Sequence, residues 1–187
     1  MANQNENLFL RDVAKLREAA KKSLEDGAVT PNYGGNVETA INLLQAALAT
    51  EIVCVLRYSM NAISVVGLTS QSVAQEFREH AADEQRHMTA IAERIDQLGG
   101  TPNFDPQGLA ARSSTEYGNG GTLVEMVKQN LIAERIAVEH YRDLIGYFSK
   151  TDPTTRLMLE HILTDEEDHA SDMHDLLVAH EGVPMLK

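Results

Sequence analysis

Apolar residues recur at steps of three and four along four long stretches of the chain, and each recurrence is interrupted by a residue that does not belong in a core. After Asn36, the positions Ile41, Leu44, Leu48, Val55 and Tyr58 share a face with Glu51; this stepping keeps side chains on one side of an α-helix. A second face comprises Val73, Phe77, His80, Glu84, His87, Ile91 and Leu98. It opens near Thr69-Ser70 and stops at Gly99-Gly100, where glycine suits a helix end. The third opens on Thr122-x-x-Glu125, a capping box, and carries Leu123, Val127, Asn130, Glu134, Ala137, Tyr141, Leu144 and Phe148 inward. The fourth begins at Asp152-Pro153, a cap followed by Pro at the first helical position, and carries Leu159, Ile162, Glu166, His169, Met173 and Leu176. It closes near Gly182 and Pro184. The pattern predicts an all-α chain built on four long helices.

The connections predict the topology. Short turns within the first pair and within the last pair make each pair antiparallel, whereas residues 100–121, containing Gly, Pro and Ser, are long enough to cross the length of a bundle. Leu8 to Glu25 predicts a short amphipathic helix ahead of the bundle, followed by an irregular segment from Gly27 to Gly35. The expected organisation is an N-terminal extension over 1–34, one bundle domain over 35–182 and a tail over 183–187. With 187 residues and 43% hydrophobic content, the chain can bury the core of one such domain.

Charge and cysteine content narrow the partners. A formal net charge of −12 opposes binding to nucleic acid or anionic membranes but favours cations. Lys15, Arg17, Lys21 and Lys22 form the one basic cluster, and Asp12, Glu18 and Glu25 are interspersed with it, so DNA is not an expected partner. The single Cys54 has no internal disulfide partner and reads as a small buried apolar residue. Met1 to Asn7 is polar, unlike a signal peptide, and no apolar run is expected to approach membrane-spanning length. A cytoplasmic protein is expected.

The interruptions carry the chemistry, because they are doubled. Glu51 is followed by Tyr58 and then by Glu84-x-x-His87; Glu134 is followed by Tyr141 and then by Glu166-x-x-His169. Each Tyr lies seven residues after its Glu, and each Glu-x-x-His follows 33 or 32 residues after it. A buried carboxylate left unpaired costs several kcal/mol, so four on apolar faces need positive charge nearby. Two divalent cations supply it, with His87 and His169 as neutral ligands; a degenerate bundle with a buried polar network is the plainer alternative. Oxygen-rich ligation with one imidazole per ion suits iron or manganese rather than sulfur-ligated zinc. Asp83 and Asp165 stand where each can accept the second N–H of the opposite helix's His. Tyr58 and Tyr141 read first as core residues with a tethered hydroxyl. His80, one turn before Glu84, reads either as an ordinary helix His or as a feeder of metal.

Asp83-Glu84-Gln85-Arg86-His87 resembles the Asp-Glu-x-Arg-His signature of carboxylate-bridged di-iron proteins. The stretch from Glu51 to Phe104, ending Leu-Gly-Gly-Thr-Pro-Asn-Phe, resembles bacterioferritin, and the likeness extends over most of the bundle. The resemblance implies a ferritin-like four-helix bundle with Glu51, Glu84, His87, Glu134, Glu166 and His169 as ferroxidase ligands and Tyr58 as the nearby tyrosine. By the same resemblance, Glu84 and Glu166 bridge two iron ions per chain, with manganese as a possible occupant. Fe(II) would be oxidised by O2 or H2O2 and stored as ferric mineral in a hollow homo-oligomer. Two departures refine this expectation. Gln85 stands where bacterioferritin places its haem-ligating Met, so haem is not expected. The stretch after His169 is too short for a further helix of the 24-subunit kind, and an extension precedes the bundle. Both features resemble Dps-like ferritins with a bacterioferritin-type site and imply twelve subunits rather than twenty-four, although the paired cysteines of some such proteins are missing. An alternative keeps the site without storage, as a rubrerythrin-type peroxidase or catalase; the Cys-x-x-Cys module of that family is absent.

Overall fold

The computed structural model describes residues 12–22, 24–65 and 70–181. Within them the chain forms α1 (Val13–Ala19), a 3-10 turn (Leu24–Asp26), α2 (Val37–Ser64), α3 (Gln71–Gln97), α4 (Leu109–Arg112), α5 (Leu123–Phe148) and α6 (Pro153–Glu181). Every described element is helical. Asn36 caps α2 by accepting from the Thr39 N–H, and Thr122 with Glu125 forms the reciprocal capping box of α5. Asp152 Oδ1 accepts from the Thr155 N–H at the start of α6, with Pro153 next in line. Such caps satisfy N–H groups that a helix start leaves without partners.

α2 packs chiefly on α3 and α5 on α6; the pairs meet through α3 and α6 and through α2 and α5. The first pair is antiparallel, because the end of α3 returns to the start of α2 while Tyr58, late in α2, touches Phe77, early in α3. Gly99 makes that return possible with φ +83°. Gly100 then lies so close that a Cβ would come within 2.9 Å of Ile95 and 3.0 Å of Ile41. The backbone there needs both glycines.

The apolar interior divides into two clusters. One contains Leu44, Leu48, Ile91, Ile95, Leu144, Phe148, Leu159 and Ile162; the other contains Tyr58, Val73, Phe77, Met126, Val127 and Met173. Along every long helix the acidic and imidazole residues fall between the positions that feed these clusters. The charged layer is therefore shut in from both ends.

The crossover from α3 to α5 is strapped along α2. Gln45 donates to the Thr101 carbonyl and accepts from the Asn103 N–H. Thr50 Oγ1 accepts from the Ser114 N–H. Arg57 donates to the Glu116 carbonyl. Gly108, with φ +68°, turns the strap into α4, a short helix that periodicity does not foreshadow. At the far end of the bundle Arg94 of α3 donates to both Asp152 oxygens and to Thr155 Oγ1, while the Tyr33 hydroxyl donates to Asp152 Oδ2. This network ties α3, α6 and the segment before α2 together.

Several expectations change. Of the short helix expected within Leu8–Glu25, the described residues show Val13–Ala19, with none of its side chains buried, and residues 8–11 and 23 lie outside the described residues. Ser70 precedes α3 without a side-chain capping bond, and Thr69 lies outside the described residues. Ile41, Val55, Leu123 and Leu176 are half-buried rather than fully inside, because they sit at the margins of their faces. α2 is long and apolar enough by composition to cross a membrane, against the expectation that no such run exists. The charges in its middle, Glu51 and Arg57, are both buried in the bundle. Gly182, Pro184 and the tail over 183–187 lie outside the described residues.

Candidate metal centre

Four helices deliver their interrupting residues to one layer. Glu51 comes from α2, Glu84 and His87 from α3, Glu134 from α5, and Glu166 and His169 from α6; none is more than 4% exposed. The i, i+3 spacing aims each Glu-x-x-His pair at one spot. Two groups of possible ligands result: Glu51, Glu84, His87 and Glu166 in one, Glu84, Glu134, Glu166 and His169 in the other. Glu84 and Glu166 belong to both. The residues that the sequence nominates as ligands are thus all brought together.

The spacing suits cations. His87 Nδ1 lies 3.4 Å from Glu51 Oε2, 3.4 Å from Glu84 Oε2 and 3.1 Å from Glu166 Oε1. His169 Nδ1 lies 3.6 Å from Glu84 Oε1 and 4.0 Å from Glu166 Oε2. A four-coordinate ion with bonds of about 2.1 Å holds its ligand atoms about 3.4 Å apart. Eight buried atoms here make no hydrogen bond: Glu51 Oε2, both oxygens of Glu84 and of Glu166, Glu134 Oε2, His87 Nδ1 and His169 Nδ1. Buried polar atoms are otherwise almost always satisfied, and these eight all face one another.

The ligand atoms not aimed inward are held from behind, crosswise. The Tyr58 hydroxyl donates to Glu134 and the Tyr141 hydroxyl to Glu51, so each half of the repeat fixes the carboxylate of the other. His87 Nε2 pairs with Asp165 Oδ2 at 3.0 Å, and His169 Nε2 with Asp83 Oδ2 at 3.4 Å. Both aspartates therefore reach the imidazole of the opposite helix, as their spacing suggests.

Electrostatics follow from burial. Desolvation pushes the Glu51 carboxyl up to about 8, with Glu84 adding repulsion, and raises Glu134 and Glu166 for the same reasons. Glu84 moves the other way: burial opposes its charge, but His169 and His87 hold it below the ordinary carboxylate range. Burial also opposes charge on the imidazoles, yet Glu84 carries His169 up to about 9, and Glu166, Glu51 and Glu84 raise His87. Any cation entering this layer must displace protons.

The sequence reading missed Arg57. Its guanidinium, 1% exposed, donates to Asn130 Oδ1 and stands 3.8 Å from Glu134 Oε1. A charged residue beside Tyr58, on a helix otherwise poor in charge, was the available signal. Cys54, 1% exposed, lies 3.4 Å from that guanidinium, and burial raises its thiol well above the usual value, as befits an inert buried residue. Gln85 is exposed on the outer surface of α3.

The comparisons with known proteins agree with this geometry. The ferritin-like domain family model matches residues 41–182. The bacterioferritin of Mycobacterium leprae is 28% identical over 130 residues, 69% of this chain and 77% of that protein. The DNA protection during starvation protein of Pyrococcus furiosus is 27% identical over 147 residues, 77% of this chain and 80% of that protein. Among solved structures, the bacterioferritin-related protein of Bacteroides fragilis, a dodecameric thioferritin, superposes with a TM-score of 0.74 at 30% identity, covering 91% of this chain and 99% of that one. The bacterioferritin of Desulfovibrio desulfuricans shares the fold at a TM-score of 0.70 and 22% identity, covering 80% of this chain and 86% of that one. A match that runs from near the start of α2 to the end of α6 settles the affiliation: the chain belongs to the family of ferritin-like domains.

Proposed function

We propose that the bundle, assigned to residues 35–182, takes up two Fe(II) ions per chain as substrate, oxidises them with O2 or H2O2 and releases the ferric product to a mineral inside a hollow homo-oligomer. The observation that carries this reading is the pair of four-ligand groups sharing Glu84 and Glu166, with eight inward atoms left without hydrogen-bond partners. Glu51, Glu84, His87, Glu134, Glu166 and His169 are the assigned ligands. Four carboxylates and two neutral imidazoles balance the four positive charges of two divalent ions, and an N/O set of this kind suits iron, with manganese as a competitor. Two Fe(II) supply the two electrons that reduce O2 to H2O2, or H2O2 to water.

The protein's own groups have distinct tasks. Glu84 and Glu166 hold the two positions adjacent. Glu51 and Glu134, each braced by a tyrosine from the other half of the repeat, are free to change the number of oxygens they offer as charge builds on the iron. Asp165 and Asp83 hold Nε2–H of His87 and His169 and so present Nδ1 inward. Protons on Glu51, Glu134, Glu166 and the imidazoles leave as Fe(II) enters, so uptake strengthens with rising pH. Arg57 adds fixed positive charge beside Glu134. A twelve-subunit shell is favoured by the likeness to the Bacteroides fragilis protein, itself a dodecamer.

The deciding experiment adds a large excess of Fe(II) aerobically and counts the iron that co-elutes with the protein on size exclusion with light scattering. Tens of iron atoms or more per chain in a large particle support storage. A few per chain, no more than the cation sites within one bundle hold, would overturn storage and leave a peroxidase or catalase.

A further inference from the structure

Outside the paired centre, the same two helices carry a second, smaller set of ligand groups. Glu76, His80 and Glu84 follow one another at steps of four along α3, and Asp172 lies three residues beyond His169 on α6. A step of four keeps one face of the helix, so His80 and Glu76 continue the ligand line by one and two turns respectively, each about 5.4 Å. His80 is 97% buried by its 3% side-chain exposure, whereas Glu76 and Asp172 reach solvent, at 34% and 50%.

His80 is oriented differently from the two imidazoles of the paired centre. Its ring stacks on His169 at 4.0 Å between centroids and receives Tyr58 edge-on at 5.2 Å. Its Nδ1 is buried without any hydrogen-bond partner. Its Nε2 faces the other way, 3.4 Å from Glu76 Oε1 and 3.4 Å from Asp172 Oδ2. These separations exceed the usual N–H···O range of 2.7–3.2 Å (about 2.9 Å on average). They equal the roughly 3.4 Å that separates ligand atoms around a four-coordinate ion with bonds of about 2.1 Å. An ordinary His–carboxylate pair explains one short contact to one acid; it does not explain two equal, longer ones from two helices.

We propose that Glu76, His80 and Asp172 form a third divalent-cation site, which receives Fe(II) from solvent and delivers it to the paired centre across the His80–His169 stack. One imidazole and two carboxylates make an N/O set that takes Fe(II), Mn(II), Co(II) or Zn(II). Because both carboxylates are solvent-accessible, water completes the coordination and the ion exchanges readily, as a delivery site requires. Glu79 adds negative charge beside Glu76 and strengthens the attraction. The delivery role rests on the paired-centre reading; the existence of the site does not.

Anaerobic equilibrium dialysis of the metal-free full chain against Co(II), with cobalt counted per chain, tests the site. The parent is expected to take up three ions and the Glu76→Gln/Asp172→Asn double variant two, since those exposed side chains leave the core in place. A parent that takes up two, or a double variant that still takes up three, overturns the third site. Glu166→Ala separates the two readings: it is expected to keep one cobalt, and to lose it when combined with the double variant. If Glu166→Ala keeps all three, the paired centre is wrong and the third site stands. For delivery, stopped-flow oxidation at limiting Fe(II) is expected to slow about fivefold in the double variant, within the range of electrostatic steering, and to recover at saturating Fe(II). Equal rates at limiting iron overturn the delivery role.

Discussion

Two clusters of buried charge lie in one bundle, and they are finished differently. At one end Arg94, Asp152, Thr155 and Tyr33 answer each other bond for bond, with both Asp152 oxygens accepting from Arg94. In the middle, four glutamates and two histidines leave eight atoms without a hydrogen bond. Burial is nearly the same in both, with Asp152 at 2% exposure and Glu51 at 1%. What differs is completeness. A charge cluster closed by its own partners holds the fold; one that stays open toward its own centre is built to be completed by something else.

The sharpest way to break this contrast is to remove one member from each cluster. Glu166→Ala removes a carboxylate common to both groups, and on the proposed reading Fe(II) oxidation followed by stopped-flow is expected to fall more than about a thousandfold, near 4 kcal/mol in barrier. The metal-free variant is expected to melt no lower than the parent, because a carboxyl that burial and Glu84 push away from ionisation is gone. A variant that fails to fold would make the centre structural. Asp152→Ala should do the reverse. It strands the buried Arg94 and is expected to cost about 3 kcal/mol in urea unfolding while iron oxidation persists. An unchanged midpoint would remove the network from the structural ledger.

pH sharpens the comparison further. Glu51, raised to about 8, and His169, raised to about 9, bind protons more tightly folded than unfolded. Their stabilisation is complete below the unfolded values of about 4.3 for Glu and 6.5 for His and is lost as pH climbs through the folded ones. Metal-free protein is therefore expected to lose several kcal/mol of stability between pH 5 and pH 9, read as denaturant midpoints. Asp152 is lowered instead, burial opposing its charge while Thr155, Arg94 and Tyr33 outweigh it. Its contribution is present above the unfolded Asp value of about 3.9 and is lost only as pH falls below that. A flat profile from pH 5 to 9 would show that the central layer holds no extra protons. The smallest effect belongs to Asp165→Asn. Weakening its bond to His87 Nε2 is expected to reduce cation affinity about tenfold by isothermal titration, with Asp83→Asn milder because its contact to His169 is longer.

The comparison also explains what was legible in the sequence. Four glutamates and two histidines could be named because each interrupts an apolar face at its middle, and because the interruption occurs twice. Fold and topology were readable from the same faces, from Gly99-Gly100 and from the length of the 100–121 crossover. Arg57 and Arg94 were not. Each is a long side chain whose partners, Asn130 and Asp152, sit 73 and 58 residues away, and only the spacing between packed helices decides which acceptor a guanidinium reaches. Asp152 was identified as a helix cap without its second role as a counter-charge. α4 was invisible because a single turn, begun by Gly108 and pinned to α2, is too short to show periodicity. Of the helix expected over Leu8–Glu25, Val13–Ala19 is helical within the described residues, and its apolar spacing buries no side chain.

The separation of the apolar interior into two clusters has a consequence for the lifetime of the protein. The two clusters meet only across the charged layer, and on the proposed reading ions held there by side chains from α2, α3, α5 and α6 would couple the opening of one to the other. Amide hydrogens around Phe77, Val127 and Met173 should then exchange sooner than those around Leu48, Ile95 and Leu159 in metal-free protein, and together with them once iron is bound. Degradation by proteases, which act on transiently opened chains, would fall hardest on molecules that carry no iron, so the amount of this protein would follow the amount of metal it has to hold.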